Sequence, residues 1–338
     1  MSLVSSTVRK LGPLGGYAFA RQLCRKQPRL LMYHRFSSFP VAGYVSADEF
    51  EWQVSYIAKH FTPVTVSDIA LSLYEGENLP TNNIAITVDD GYEDFYSIAW
   101  PILRKYRVPA TFYVTTGFVN GDLWLWPDQL RYLLERSPKV ENTFDFGLFS
   151  VETPLQGTAL EDTFWRINQI LLKADNEKKL QCLAAMSRAW QLDLPACPPD
   201  DCRAVTWAHL KEMQAQGLEV GGHTVTHPSL ARVNMAEARS EIFGCYEALE
   251  NNLGQAVRSF CYPNGTPDDF VGEQVELISE AGFSCATVAF ADSREQRQRY
   301  AMRRHASSSD RFQFLKAVSG IELLGMIWRK ETQETPYE

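Results

Sequence analysis

The run Ile84-Ala85-Ile86-Thr87-Val88 passes directly into Asp89-Asp90-Gly91. Apolar and β-branched residues bounded by turn residues predict a buried strand. Two adjacent carboxylates at its end are costly to bury without a partner, and a metal ion is one such partner. Much later, Gly221-Gly222-His223-Thr224-Val225-Thr226-His227-Pro228 supplies two imidazoles. One carboxylate with two imidazoles is a ligand set that leaves coordination positions open for water and substrate. Asp90, His223 and His227 are therefore the candidate metal ligands, with Zn2+ or another divalent transition metal as the expected ion.

Strand and helix signals alternate along most of the chain, as in a parallel α/β fold. The expected strands are Arg29–Tyr33, Phe61–Val64, Ile84–Val88, Ala110–Thr116, Leu218–Val220, Ser259–Tyr262 and Phe283–Phe290. The helices between them carry recognisable ends. Ser46-Ala47-Asp48-Glu49 reads as a capping box, Ser67 as a cap with closure near Gly76, and Asn234 with Glu237 as a further cap. A helix over Phe95–Tyr106 is expected to bend at Pro101. His223 and His227 have i,i+4 spacing, which would suit one helix face. Gly221-Gly222 is a poor helix start, however, and Pro228 biases His227 away from helical φ/ψ, so both are placed on a loop leaving a strand. About seven or eight strands with interleaved helices suggest a barrel, with chemistry at the strand C-termini, where these motifs fall. The alternation lapses over residues 120–203, read as a helical insertion inside a single domain spanning 29–338, after an N-terminal tail of residues 1–28. Trp124 and Trp126 at its root are either a sugar-stacking wall or the core that docks the insertion, the second being the more usual place for tryptophan.

A net charge of -8 argues against a general nucleic-acid binder. Seven cysteines with no framework spacing read as reduced thiols, which suits a cytoplasmic protein. No run approaches the ~20 apolar residues of a membrane span. The stretch from Arg9-Lys10 to Ala18-Phe19-Ala20 has the outline of a signal peptide, but Gly12, Pro13, Gly15 and Gly16 interrupt its apolar segment. The expected location is the cytoplasm. The basic residues Arg21, Arg25, Lys26 and Arg29 allow peripheral contact with the inner face of an anionic membrane.

Thr87-Val88-Asp89-Asp90-Gly91, His223-Thr224-Val225-Thr226-His227 and Cys261-Tyr262-Pro263-Asn264-Gly265, in this order, resemble three motifs of the NodB-homology polysaccharide deacetylases, carbohydrate esterase family four. Val88 stands where that family usually has Phe. The resemblance covers most of residues 29–307. It implies a distorted (β/α)7-type barrel and a metal-dependent N-deacetylase acting on an N-acetylated amino-sugar glycan, lipid-linked or free. It assigns the general base to Asp89, and an oxyanion-holding backbone N–H to Asn264. His34, in Tyr33-His34-Arg35, matches a Tyr-His that opens deacetylases of exopolysaccharide assembly and is expected to line the site.

Three features depart from the family pattern. Cys261 sits where the family has an arginine that orients the catalytic Asp, and a thiol cannot make that charge-assisted bond. Arg303 or Arg304, at the end of a late strand, is the expected substitute, Arg304 being favoured. The family's Asp-x-x-Asp-Trp is absent around Thr287–Ser293. No Leu-x-His supplies the general acid, and His305 is the one late histidine. The alternatives are a deformylase or cyclic amide hydrolase on the same fold, a catalytically degenerate carbohydrate-binding protein, and a non-haem iron oxygenase, which the long separation of Asp90 from His223 disfavours.

Overall fold

The eight strands β1 (Arg29–Tyr33), β2 (Thr62–Pro63), β3 (Asn83–Val88), β4 (Ala110–Val114), β5 (Glu219–Gly222), β6 (Ser259–Cys261), β7 (Cys285–Thr287) and β8 (His305–Ala306) form one parallel sheet. This computed structural model describes residue 9 and residues 11–254, 257–294 and 296–333. Residues 1–8 and Lys10 of the expected N-terminal tail lie outside the described residues. The strand order is β7-β6-β5-β4-β3-β1-β8, with β2 pairing the start of β3. Strands β3 and β4 are buried almost throughout, which explains their continuous apolar sequence: helices cover the outer face and side chains fill the inner one.

The two ends of the sheet approach one another through one stretch of chain. Met302 bridges Thr287 of β7, and three residues later His305 pairs with Leu31 of β1. A single bridge in place of a ladder makes this barrel a distorted one, the fold class expected from the sequence.

Helix starts follow local chemistry. Ser46 accepts from the Glu49 N–H, and Asn234 and Glu237 close a reciprocal capping box. The expected cap at Ser67 is corrected. Thr65 and Asp68 form the box for Val66–Glu75, whereas the Ser67 hydroxyl is committed to the Glu219 carboxylate. The bend expected at Pro101 appears as a π-helical turn, Phe95–Ala99, one turn earlier, because Pro101 has no N–H to continue the α ladder.

The segment expected as a helical insertion carries three main helices, α1 (Trp126–Glu135), α2 (Thr158–Leu172) and α3 (Asn176–Trp190). It also contains a hairpin, Asn142–Asp145 with Ser150–Thr153, that the helical reading missed. These elements share a hydrophobic cluster of their own, including Trp126, Leu130, Phe149, Ile167 and Trp190. Trp124 instead joins Tyr92 and Phe118 in a small cluster against the barrel. All seven cysteines are free thiols. Among the described residues, no helix is long and apolar enough to cross a membrane.

Candidate active site

The C-terminal ends of β3, β5 and β6 deliver the three sequence motifs to one cavity of about 400 Å³, lined by His34, Asp89, Asp90, His223, His227, Tyr262, Asn264 and Arg304 among others. Local backbone geometry aims these side chains. Asp90 leaves β3 in the left-handed region at φ +80°, and His227 and Asn264 are left-handed at +62° and +60°. Such conformations cost energy in non-glycine residues and persist where surrounding contacts over-determine them. Gly222 has a different reason to be glycine. A Cβ there would sit 2.7 Å from the Phe283 ring, so only glycine lets β5 pack this closely before His223.

His223 Nε2 and His227 Nε2 lie 3.5 and 3.4 Å from Asp90 Oδ1. His223 Nδ1 is 2.7 Å from the Cys261 carbonyl, which can only accept, so the tautomer with Nδ1–H leaves the Nε2 lone pair facing the carboxylate. Acceptors converging in this way call for positive charge between them. Where an Nε2 carries a proton instead, the imidazole donates to Asp90. Burial pushes the Asp90 carboxyl up, but the two imidazoles hold it well below the usual carboxylate range. The donor chemistry therefore fits a divalent ion with two imidazoles, one carboxylate and open positions. A second potential ligand group, Asp89 with His223 and Cys261, is also close-set. Its carboxylate is already committed to Arg304, so the Asp90 set is the better candidate.

Arg304 closes on Asp89 as a fork, Nη1 to Oδ1 at 2.6 Å and Nη2 to Oδ2 at 2.8 Å. Its remaining donors reach the Val288 carbonyl at 2.9 Å, Thr87 Oγ1 at 2.9 Å and Cys261 Sγ at 3.1 Å. All five guanidinium N–H groups thus have acceptors. Burial pushes the Asp89 carboxyl up, but Arg304, aided by nearby imidazoles, outweighs it and holds the group below its ordinary value. The thiol of Cys261 lies beside Asp89, with Sγ 3.7 Å from Oδ2, and the arginine arrives off the stretch leading into β8.

His34 Nε2 is 3.7 Å from Asp89 Oδ2, and its side chain is about half exposed at the cavity mouth. His305, considered as the acid, does not line the cavity. It is buried against Glu322 at 3.2 Å. Successive residues of extended chain point to opposite faces, so with Arg304 directed inward His305 points outward. His209 stacks on Tyr96 at 3.9 Å and His60 packs on Tyr56 at 4.4 Å, both away from the cavity, as their helix positions suggested.

Four residues at the site escaped the sequence reading. Glu241 accepts from the Val225 and Thr226 N–H groups, each at 2.8 Å, and so fixes the loop between the two histidines. Asp269 accepts from the Thr266 N–H at 3.0 Å and from Ser229 Oγ at 2.8 Å, which holds the turn carrying Asn264. Glu241 lies beyond the reach of any spacing rule from the histidine motif it serves, whereas Asp269 closely follows the Cys261–Gly265 motif but is one of several polar residues there with nothing to single it out. Trp165 and Asn168 of α2 line the cavity from the insertion. Trp126 does too, although it is only 6% exposed and packs in the insertion's core, the more usual place for tryptophan.

Comparison with known proteins places the chain in a family. The polysaccharide deacetylase family model matches residues 76–285, well over half of the chain. A poly-β-1,6-N-acetyl-D-glucosamine N-deacetylase of Staphylococcus aureus is 33% identical over 123 residues, 36% of this chain and 41% of that protein, so the match spans less than half of the relative. The Streptococcus pyogenes deacetylase PplD, solved with acetate, superposes with a TM-score of 0.56 at 16% identity over 84% of this chain and 93% of that one. IcaB of Ammonifex degensii gives 0.55 at 18% identity, covering 87% of this chain and 97% of its own. At such identities the two structures speak for the fold. Taken with the family match over motif-bearing strands, they establish that this chain belongs to the polysaccharide deacetylase family, hydrolases of carbon–nitrogen amide bonds.

Proposed function

We propose that this protein removes the acetyl group from an N-acetylated amino sugar in a polysaccharide or glycan precursor, with a divalent transition metal held by Asp90, His223 and His227. The observation that carries this reading is the meeting, at one barrel mouth, of that donor set with a second carboxylate held by a buried arginine fork. The name of the staphylococcal relative supports an amino-sugar glycan as the substrate class. When bound, such an ion supplies Lewis acidity and lowers the pKa of water.

The chain's own groups divide the remaining work. Asp89 accepts a proton from the attacking water, and Arg304 keeps it ionised and aimed. The backbone N–H of Asn264, at the cavity wall, donates to the oxygen of the acetyl carbon as it becomes tetrahedral. His34 gives a proton to the departing sugar amine. Among the described histidines lining the cavity it alone is not in the metal-ligand set. A location in the cytoplasm, with contact at the inner face of its membrane, stays part of the proposal, and cell fractionation tests it. Arg29 is corrected out of that contact, being buried at 1% exposure, which leaves Arg21, Arg25 and Lys26.

The deciding experiment is acetate and formate release from β-1,6-linked N-acetylglucosamine oligomers, with and without chelator. Acetate release that stops on chelation and returns with zinc is the expected result. His223→Ala should lose most bound metal. Asp89→Asn should keep the metal and lose about 10²–10⁴-fold in rate. Turnover that survives complete metal removal would overturn the metal's role. No acetate from any amino sugar would leave a carbohydrate-binding protein, and formate alone would make it a deformylase.

A further inference from the structure

One wall of the cavity comes wholly from the insertion, and nothing in the deacetylation chemistry accounts for it. Trp126 and Pro127 open α1, and Trp165, Asn168 and Leu172 come from α2. Helix α2 buries Phe164, Ile167 and Leu171 into the insertion's own core. Trp165 is not needed there. Its side chain is 53% exposed, and it touches Phe164 only by an edge contact with ring centroids 5.2 Å apart. Residues 165, 168 and 172 stand three and seven positions apart, so they form one stripe along the helix, turned to the cavity. Trp126 is the rigid neighbour of this stripe. It is buried, and the ammonium of Lys179 lies 4.8 Å from its ring centroid.

We propose that Trp165, with Trp126 and Leu172, forms a stacking subsite for a second sugar ring beside the one that is deacetylated. The insertion then reads the ring next to the one that is deacetylated, within the glycan proposed above. This rests on the deacetylase reading above. The chemistry of a pyranose fits the wall. Its axial C–H face is apolar and suits an indole face, while its rim of hydroxyl and acetamido groups needs a few polar partners, of which the Asn168 amide is one. The opposite side of the cavity, with Asn264, Asp89 and the histidines, is polar and is occupied by the reacting group. A half-exposed indole at the mouth of such a cavity gains contact only when a ligand covers it.

The test compares wild type, Trp165→Ala and Trp165→Phe on N-acetylglucosamine and its β-1,6-linked tetramer. Calorimetric binding of both sugars is measured in parallel on proteins that also carry Asp89→Asn, so that binding is read without turnover. The loss of one aromatic stacking partner should lower the tetramer-to-monomer ratio of kcat/KM about 5- to 30-fold, through KM. Tetramer affinity should fall by a similar factor, and phenylalanine should restore most of it. An unchanged ratio and affinity in Trp165→Ala would overturn the subsite while leaving the deacetylase reading intact. An equal loss on monomer and tetramer would also overturn it, since that marks a merely structural role. Trp165-dependent tetramer binding by a protein that releases no acetate would retain the subsite and overturn the activity. No binding and no turnover would overturn both.

Discussion

Replacing Arg304 by methionine tests the least conventional feature of the site. The guanidinium is 1% exposed and donates to five acceptors, two of them the oxygens of Asp89, which is itself 2% exposed. Methionine fills much of the volume but strands a buried carboxylate without its cation. Breaking a buried pair from one side costs about 3–5 kcal/mol, most of it the penalty on the charge left behind. The Thr87 hydroxyl and Val288 carbonyl lose a partner as well, so the upper half of that range is expected. Guanidinium unfolding with chelator present measures it free of metal linkage. Asp89→Asn, Arg304→Met and the double variant then form a cycle. Removing both charges relieves the stranded carboxylate, so the double variant should be more stable than the sum of the single effects by about 1–3 kcal/mol. Arg304→Lys keeps the charge but offers three donors where five are used, and cannot form the planar fork. It should fall between wild type and methionine in stability, with turnover closer to methionine. An Arg304→Met cost below about 1 kcal/mol, or strict additivity in the cycle, would refute the claim that this pair is a desolvated and coupled unit.

Three further outcomes are expected. His34→Gln should keep full metal content but lose about 10²-fold in turnover if His34 protonates the leaving amine, and near-normal acetate release would exclude that role. Asn264→Gly should stay within a few-fold of wild-type activity, because the proposed donor is the backbone N–H and glycine accepts the φ of +60° without strain. A collapse of activity on that change would assign the role to the side chain instead. Lys179 is 1% exposed, and burial lowers its pKa from 10.5 to about 8. A folded-state pKa below the unfolded one makes the charge a stability cost, complete below about pH 8 and absent above about 10.5. Lys179→Met should therefore stabilise the fold at pH 7 by up to about 3 kcal/mol, less any cation–π attraction to Trp126. That gain should shrink as the pH rises through this window in paired thermal melts, and a gain independent of pH would count against it.

The sequence revealed most where one residue type has few physical options. Strands β3 and β4 sit inside a covered parallel sheet, and their unbroken apolar runs leave little else for them to be. Gly221-Gly222 before His223 and Pro228 after His227 excluded the helix that i,i+4 spacing would have allowed, and the chain does run there as a strand followed by a loop. The short strand β8, of two residues, carries no periodicity from which to find it, whereas the equally short β2 lies inside the expected Phe61–Val64. The hairpin in the insertion was hidden for a related reason: it is largely exposed, and its pairing is antiparallel within a segment whose flanking helices dominate the pattern.

The site followed a different rule. The candidate ligands were legible because a metal would demand particular atoms, whereas the supporting shell demands only a charge or a hydrogen bond from any direction. Arg304 could be guessed from unmet need: with Cys261 beside Asp89, some cation had to reach a buried carboxylate, and Arg303 and Arg304 stand at the end of a late strand pattern. Arg303 was the near alternative. It serves another buried acid, Asp292, with Nε 3.3 Å from Oδ1. The assignment between the two comes from alternation. Arg304 shares the inward parity of the stretch that crosses the barrel mouth, while Arg303 and His305 take the other side. Glu241 and Asp269 met no comparable demand, since a backbone N–H can be satisfied by many groups, and only the fold selects which. The same reasoning explains why Trp165 stayed silent. An aromatic residue on an amphipathic helix is ordinarily core, and its meaning changes only when the structure turns it towards a cavity and leaves it half uncovered.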